Sequence, residues 1–180
     1  MTWKAFLLEQ VNHPKSRHDE WNAWSDDSFD SRDIPPHEAA ISVRERSGAE
    51  AFERYHRALF DAHHEQDRDL TDSSTLVAIA EELDLDGDQL QSDLEQHRFR
   101  EDVGADHLEG EEDLGVFGVP TVLFEDSQPI FLKLGGGDWE GTDDVELFES
   151  IHRTAATRPH LLTMKKPSQA ADRPGAPERF

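Results

Sequence analysis

Ten histidines, forty carboxylates and no cysteine bound the chemistry open to this 180-residue chain. Without a thiol there is no disulfide, no thiolate nucleophile and no cysteine-ligated metal. The histidines raise the question of a metal ion. His56, His63 and His64 fall on one helical stretch, with Asp67 and Asp69 beyond. His63 stands two turns from His56, too far for both to chelate one ion unaided, and no His-x-x-x-His pair with a Glu between them occurs. A calcium loop can be traced from Glu82 through Asp84, Asp86 and Gly87 to Asp93. Its first position should be Asp, its eighth apolar and its twelfth a bidentate Glu, where this chain has Glu82, Gln89 and Asp93. That segment reads instead as a turn between helices. Gly135-Gly136-Gly137 is followed by no Gly-Lys-Ser/Thr, and no serine sits in a Gly-x-Ser-x-Gly elbow. Taken as residues alone, the chain is expected to carry no catalytic group, no metal and no cofactor.

The elements that could position a site are mostly helical. Trp3 to Leu8 reads as a short buried strand, closed by Asn12 and Pro14. A polar loop follows to Pro36, with a helical turn around Trp21 and Trp24. Pro36 suits a first helical position, and Ala39, Ala40 and Val43 begin an apolar face that Gly48 ends. Phe52, Tyr55, Leu59 and Ala62 recur at helical spacing in a second helix. Asp72 or Ser73 caps a third, striped by Leu76, Ile79, Ala80 and Leu83. Asp86-Gly87 turns into a fourth, with Leu90, Leu94 and Phe99, and a weaker fifth runs through Val103 and Leu108 to Asp113. Thr121–Glu125 and Ile130–Leu134 then read as a hairpin, with Pro129 marking an edge strand. Asp143 and Glu146 open a last helix through Val145, Phe148, Ile151 and Ala155.

Eighteen basic residues, thirteen of them arginine, face 40 acidic ones for a net charge of −22. Such a surface repels phosphate backbones and anionic headgroups, so neither nucleic acid nor membrane is expected as a partner. The shortage of lysine beside so many carboxylates suggests a high-salt cytoplasm, where screening relieves the self-repulsion. No apolar run approaches the ~20 residues of a membrane span, and the N-terminus carries no signal-peptide pattern. A cytoplasmic location is expected.

The least polar run is Gly115-Val-Phe-Gly-Val-Pro-Thr-Val-Leu-Phe124, with a proline at the mouth of a strand. It resembles the cis-proline loop and third core strand of the DsbA-like branch of the thioredoxin fold, particularly its FrnE-like cytoplasmic proteins. Phe52–Asp72 and Leu76–Leu85 are similar to that family's helical insertion, and Trp3–Asn12 to its second core strand and the segment after it. The likeness covers roughly residues 2–167. It implies an α/β fold: a thioredoxin-like core with an all-helical insertion over about 37–113, in a domain of residues 1–164 followed by a disordered tail at 165–180. It also implies that the Val119–Pro120 bond is cis, as X-Pro bonds alone readily tolerate. Val119, Pro120 and Thr121 would then offer a strand edge to an extended peptide or unfolded protein substrate.

The departure from the pattern is equally specific. The family opens with a strand and a Cys-x-x-Cys or Cys/Ser motif at a helix N-terminus, where the dipole depresses the thiol pKa. This chain opens after that unit, so the N-terminal β-α unit is missing from it and thiol exchange by this polypeptide alone is expected to be absent. The resemblance then implies a protein of thiol–disulfide oxidoreductase lineage without a redox cysteine pair. Two alternatives stand beside it: a non-enzymatic peptide-binding or chaperone-like remnant, and a truncated relative of the glutathione transferase kappa and chromene-carboxylate isomerase group. In the thioredoxin order 2-1-3-4 the absent strand is central, so Trp3–Leu8 is expected to be poorly anchored. Direct pairing of 3–8 with 121–125, association into a homodimer through the open position, or an unpaired N-terminal segment are the outcomes that follow.

Overall fold

A computed structural model describes residues 1–17, 21–125, 127–133 and 144–158. The chain divides into two compact units, Met1–Thr121 and Val122–Phe180. Gly135–Gly137, Leu134, Asp143 and the tail at 165–180 lie outside the described residues. Among the described residues no helix is long and apolar enough to cross a membrane.

The first unit is helical. A short α1 (Leu8–Asn12) and a 3-10 turn (Pro14–Arg17) lead through the polar loop to α2 (Ile34–His64). Pro35 and Pro36 occupy the first turn of α2, where a missing N–H costs nothing. Asp33 does not cap this helix with its side chain. Ser31 does so instead, its hydroxyl oxygen accepting from the N–H groups of Asp33 at 3.2 Å and Ile34 at 3.0 Å. The same hydroxyl donates to Glu9 Oε2 at 2.6 Å, and Asp33 Oδ2 accepts from the Glu9 N–H. Burial of Glu9 raises its carboxyl, but the bonds from Ser31, Arg32 and Asp33 outweigh that and hold it below the usual range.

Gly48 bends α2 and does not end it. Its φ of 85° and ψ of 178° break the helical path for one residue, and the helix resumes at once. A side chain at that φ would be strained. Beyond the loop come α3 (Ser73–Glu82) and α4 (Gly87–Glu95). Both begin as the sequence predicts: Asp72 accepts from the Ser74 N–H at 2.8 Å and Asp86 from the Gln89 N–H at 2.9 Å. The apolar stripes of α2, α3 and α4 meet in one core around Phe52, Tyr55, Leu59, Leu76, Ile79 and Leu90. Tyr55 is fully buried and donates its hydroxyl to the Leu76 carbonyl at 3.0 Å.

α5 (Arg100–Leu108) organises a second core of Ala5, Leu7, Ala23, Trp24, Ile34, Ile41 and Val103. A Cβ at Gly104 would fall inside the Trp24 indole, so only glycine lets that ring lie flat on the helix. The Trp3–Leu8 strand is not formed. Residues 1–7 join no ladder, and Leu8 opens a helix. Nor is the segment poorly anchored, because the side chains of α5 take the place of a neighbouring strand. Asp106 Oδ2 accepts from the Ala5 N–H at 3.1 Å and His107 Nδ1 from the Leu7 N–H at 3.0 Å. Lys4 Nζ reaches Asp106 Oδ1 at 2.8 Å and Glu109 Oε2 at 3.0 Å. Ala5, Phe6 and Leu7 are buried, whereas Trp3 and Leu8 stay partly exposed.

Of the second unit, which begins within β1 (Thr121–Val122), the described part holds β2 (Ile130–Phe131) and α6 (Asp144–Thr157). β1 and β2 form a two-stranded sheet. Both are shorter than expected: Pro129 cannot donate to a ladder, and the Phe124 N–H turns to the Ser127 hydroxyl at 3.3 Å. Phe124 stacks on His152 of α6, with ring centroids 4.4 Å apart, and meets Phe148 edge-on at 5.4 Å.

Gly104→Ala is expected to cost ~1–3 kcal/mol by overpacking against Trp24, read as a lower urea midpoint; an unchanged midpoint would refute the contact.

Burial holds the His107 imidazole below its ordinary value, against the opposing pull of Glu111, and burial does the same to His37 and His56. The unfolded chain therefore binds protons that the folded chain refuses. Stability is complete above pH ~6.5 and is lost as the pH falls below it. The urea midpoint should drop between pH 7.5 and 5.5, and His107→Gln, which can still accept from Leu7, should flatten that slope. An identical slope in the variant would remove His107 from the explanation.

Candidate functional site

The proline loop grows out of α5. After Leu108 the backbone widens into a π-helical turn, Glu109–Asp113, and the Leu114 N–H bonds back to the Glu109 carbonyl at 3.2 Å. Gly115 then adopts a φ of 66°, in the left-handed region that favours glycine. That reversal brings the Val116 N–H to the Gly110 carbonyl at 2.8 Å. A Cβ at Gly110 would stand 3.2 Å from the Phe6 ring, so Phe6 packs directly on the base of the loop. Phe6 in turn lies against the His107 ring, centroids 4.6 Å apart. The root of the loop is thus tied to the N-terminal segment.

Gly118 plays a different part from the one its spacing suggests. It has no left-handed conformation; it is buried, and its carbonyl accepts the Thr121 hydroxyl at 2.6 Å. Between these two residues the Val119–Pro120 bond is cis. Val119 is 44% exposed, and among the described residues its backbone N–H and carbonyl make no hydrogen bond. Val119, Pro120 and Thr121 therefore stand together on one short, closed turn. Phe117, 69% exposed, adds a large apolar side chain beside them. Sequence reasoning passed over Phe117, although its place in the apolar run two residues before Val119 was a usable signal. It also missed Asp106 and His107, whose positions in a weakly amphipathic helix gave no hint that they serve a distant backbone.

Among the described residues no reactive group converges on Val119, Pro120 or Thr121. The chain has no thiol. Among the described residues no group of three His, Asp or Glu side chains is placed to hold a metal ion. Asp93, the twelfth position of the imagined calcium loop, is buried and engaged by Arg46, with Nη2 to Oδ1 at 2.8 Å and Nε to Oδ2 at 3.0 Å. Asp86 is occupied as a helix cap. What the turn offers is an exposed piece of backbone at Val119 whose polar groups are unbonded among the described residues, in a chain without a thiol.

Thr121→Val keeps the β-branched shape and deletes the bond to Gly118. We expect a loss of roughly 0.5–1.5 kcal/mol in urea unfolding, with a clear change in the carbonyl carbon shift of Gly118. An unaltered shift and urea midpoint would show that the hydroxyl does not close the turn.

Among curated proteins, none matches the chain. The family model of the DSBA-like thioredoxin domain matches residues 36–152, from the first turn of α2 into α6, which is well over half of the chain. The chain belongs to the DSBA-like thioredoxin domain family.

Proposed function

We propose that this is a DsbA-lineage domain of the FrnE-like branch that holds an extended polypeptide against the turn 117–121. Thiol chemistry at that turn would have to come from a group outside this polypeptide, because the chain itself has no cysteine. The observation that carries the reading is Val119, exposed and with both backbone polar groups unbonded among the described residues, on a turn closed by the Thr121–Gly118 bond. An unpaired strand edge of that kind recruits a peptide through main-chain hydrogen bonds, and a neighbouring apolar side chain such as Phe117 supplies contact area. The net charge of −22 favours neutral or cationic segments over acidic ones. The same acidic surface, with few lysines, is the feature that favours a high-salt cytoplasm as the place of action.

An isotopically labelled sample titrated with an extended peptide of alternating Thr and Val, flanked by Lys, tests this reading. Saturable amide shifts should centre on 117–121 and weaken severalfold in Thr121→Val. In parallel, insulin reduction by dithiothreitol should run no faster with the protein than without it. Peptide shifts that avoid the turn would overturn the binding surface, and accelerated insulin reduction would overturn the chemical limit.

A further inference from the structure

The two arms of α2 and Leu70 flank an open groove of about 130 Å³ that no residue of the proline turn lines. We infer that this groove docks an arginine side chain from a basic segment of a polypeptide partner. Two half-exposed aromatic rings mark the place. Phe60, 49% exposed, lines the groove, and Trp3, 41% exposed, packs on the His56 that lines it too. The rings of Phe60 and Trp3 lie against that imidazole with centroids 5.1 and 4.5 Å away. A guanidinium is attracted to aromatic faces when it comes within about 6 Å of a centroid. Ala40, Leu59 and Leu70 give the stem of the side chain an aliphatic wall to lie along.

Charge decides between a cation and an anion. Among the described residues no Lys, Arg, Asp or Glu lines the groove, so the field comes from around it. Burial holds the His37 imidazole of the wall below its ordinary value, while the carboxylates of Asp33 and Asp106 pull it the other way. Those two negative charges therefore reach the groove. His63 and His64 stand in the last turn of α2, where the helix dipole favours a cation. The first turn of the same helix would favour an anion through its free N–H groups. Here Pro35 and Pro36 have none to offer, and the Ile34 N–H is taken by Ser31. The net charge of −22 adds a general pull on cations. Arginine suits the ring faces better than lysine, because its guanidinium is flat and more weakly hydrated.

Citrulline keeps the shape of arginine and removes its charge, so the full chain is titrated with Ac-Leu-Arg-Leu-NH2 and with its citrulline counterpart. Both titrations run at pH 7.5 in sodium chloride of about 1 M, where the Debye length is about 3 Å. General attraction to an acidic chain is then screened, and close contact with a ring is not. The arginine peptide should give saturable amide shifts at 37–40, 56–64 and 70. It should bind about two- to fivefold more tightly than the citrulline peptide. In the double variant Trp3→Leu, Phe60→Leu the two peptides should bind alike. Equal affinities in the unaltered protein, an arginine preference that survives the double variant, or no saturable shift in these segments would each overturn the inference. The comparison on the unaltered protein stands even if the variant fails to fold. Shifts at 117–121 belong to the peptide surface, so the two readings fail separately.

Discussion

A helix in this protein does the work of a strand. The extended segment 4–7 brings two buried backbone N–H groups, of Ala5 and Leu7, against α5, and buried donors must be met. Asp106 and His107 meet them with adjacent side chains, one charged and one neutral. This sets conditions on everything nearby. His107 must stay unprotonated at Nδ1 to accept, which its full burial favours. Asp106 needs a countercharge, which Lys4 supplies. Phe6 is thereby delivered to the base of the proline turn, against Gly110, and Gly104 admits the Trp24 indole to the same helix. The candidate peptide surface is held in place by a contact made more than a hundred residues away in the sequence.

The same logic handles the excess of acid. Eighteen bases cannot neutralise 40 carboxylates, and the buried carboxylates are those with dedicated partners. Asp93 joins α4 to α2 by accepting from Arg46, Ser42 and Gln89; the arginine bonds above all hold its carboxyl below the usual range despite burial. Glu38, equally buried, has weaker company: the Phe99 N–H at 3.3 Å and His97 at 3.7 Å. There burial prevails and pushes the carboxyl up. The difference is the presence of a guanidinium fork, which meets both carboxylate oxygens at once.

Placed beside the family's chemistry, the surface proposed at 117–121 would recognise a chain without reacting with it. Backbone pairing needs only exposed, correctly held N–H and C=O groups, and those survive in a chain without cysteine. Electron transfer to a disulfide needs a thiolate, and no arrangement of these side chains substitutes for it.

Much of the fold was legible because it rests on local signals. Helical periodicity marked the stripes of α2 to α4, Asp72 was one of two candidate caps of α3, Asp86-Gly87 marked the turn into α4, and Gly48 marked where α2 bends, though as an end. The loop Gly115–Phe124 carried the family's pattern in consecutive residues, so its identity needed no distant partner. What failed depended on long-range neighbours. Trp3–Leu8 has the composition of a strand, but a strand exists only beside another. With none there, the backbone turned to Asp106 and His107, residues whose local pattern says nothing of the role. Nothing local marks Gly118 as a buried acceptor for the Thr121 hydroxyl. The sequence places His56 on a helix, but its ring contacts with Trp3, Phe52 and Phe60 come from the tertiary fold. Sequence alone determined the helical stretches within α2 to α6 and which loop defines the family, because those depend on contacts within a few residues. Only the tertiary structure decided what pairs with the N-terminal segment and which histidines are buried, because those depend on what the fold brings alongside.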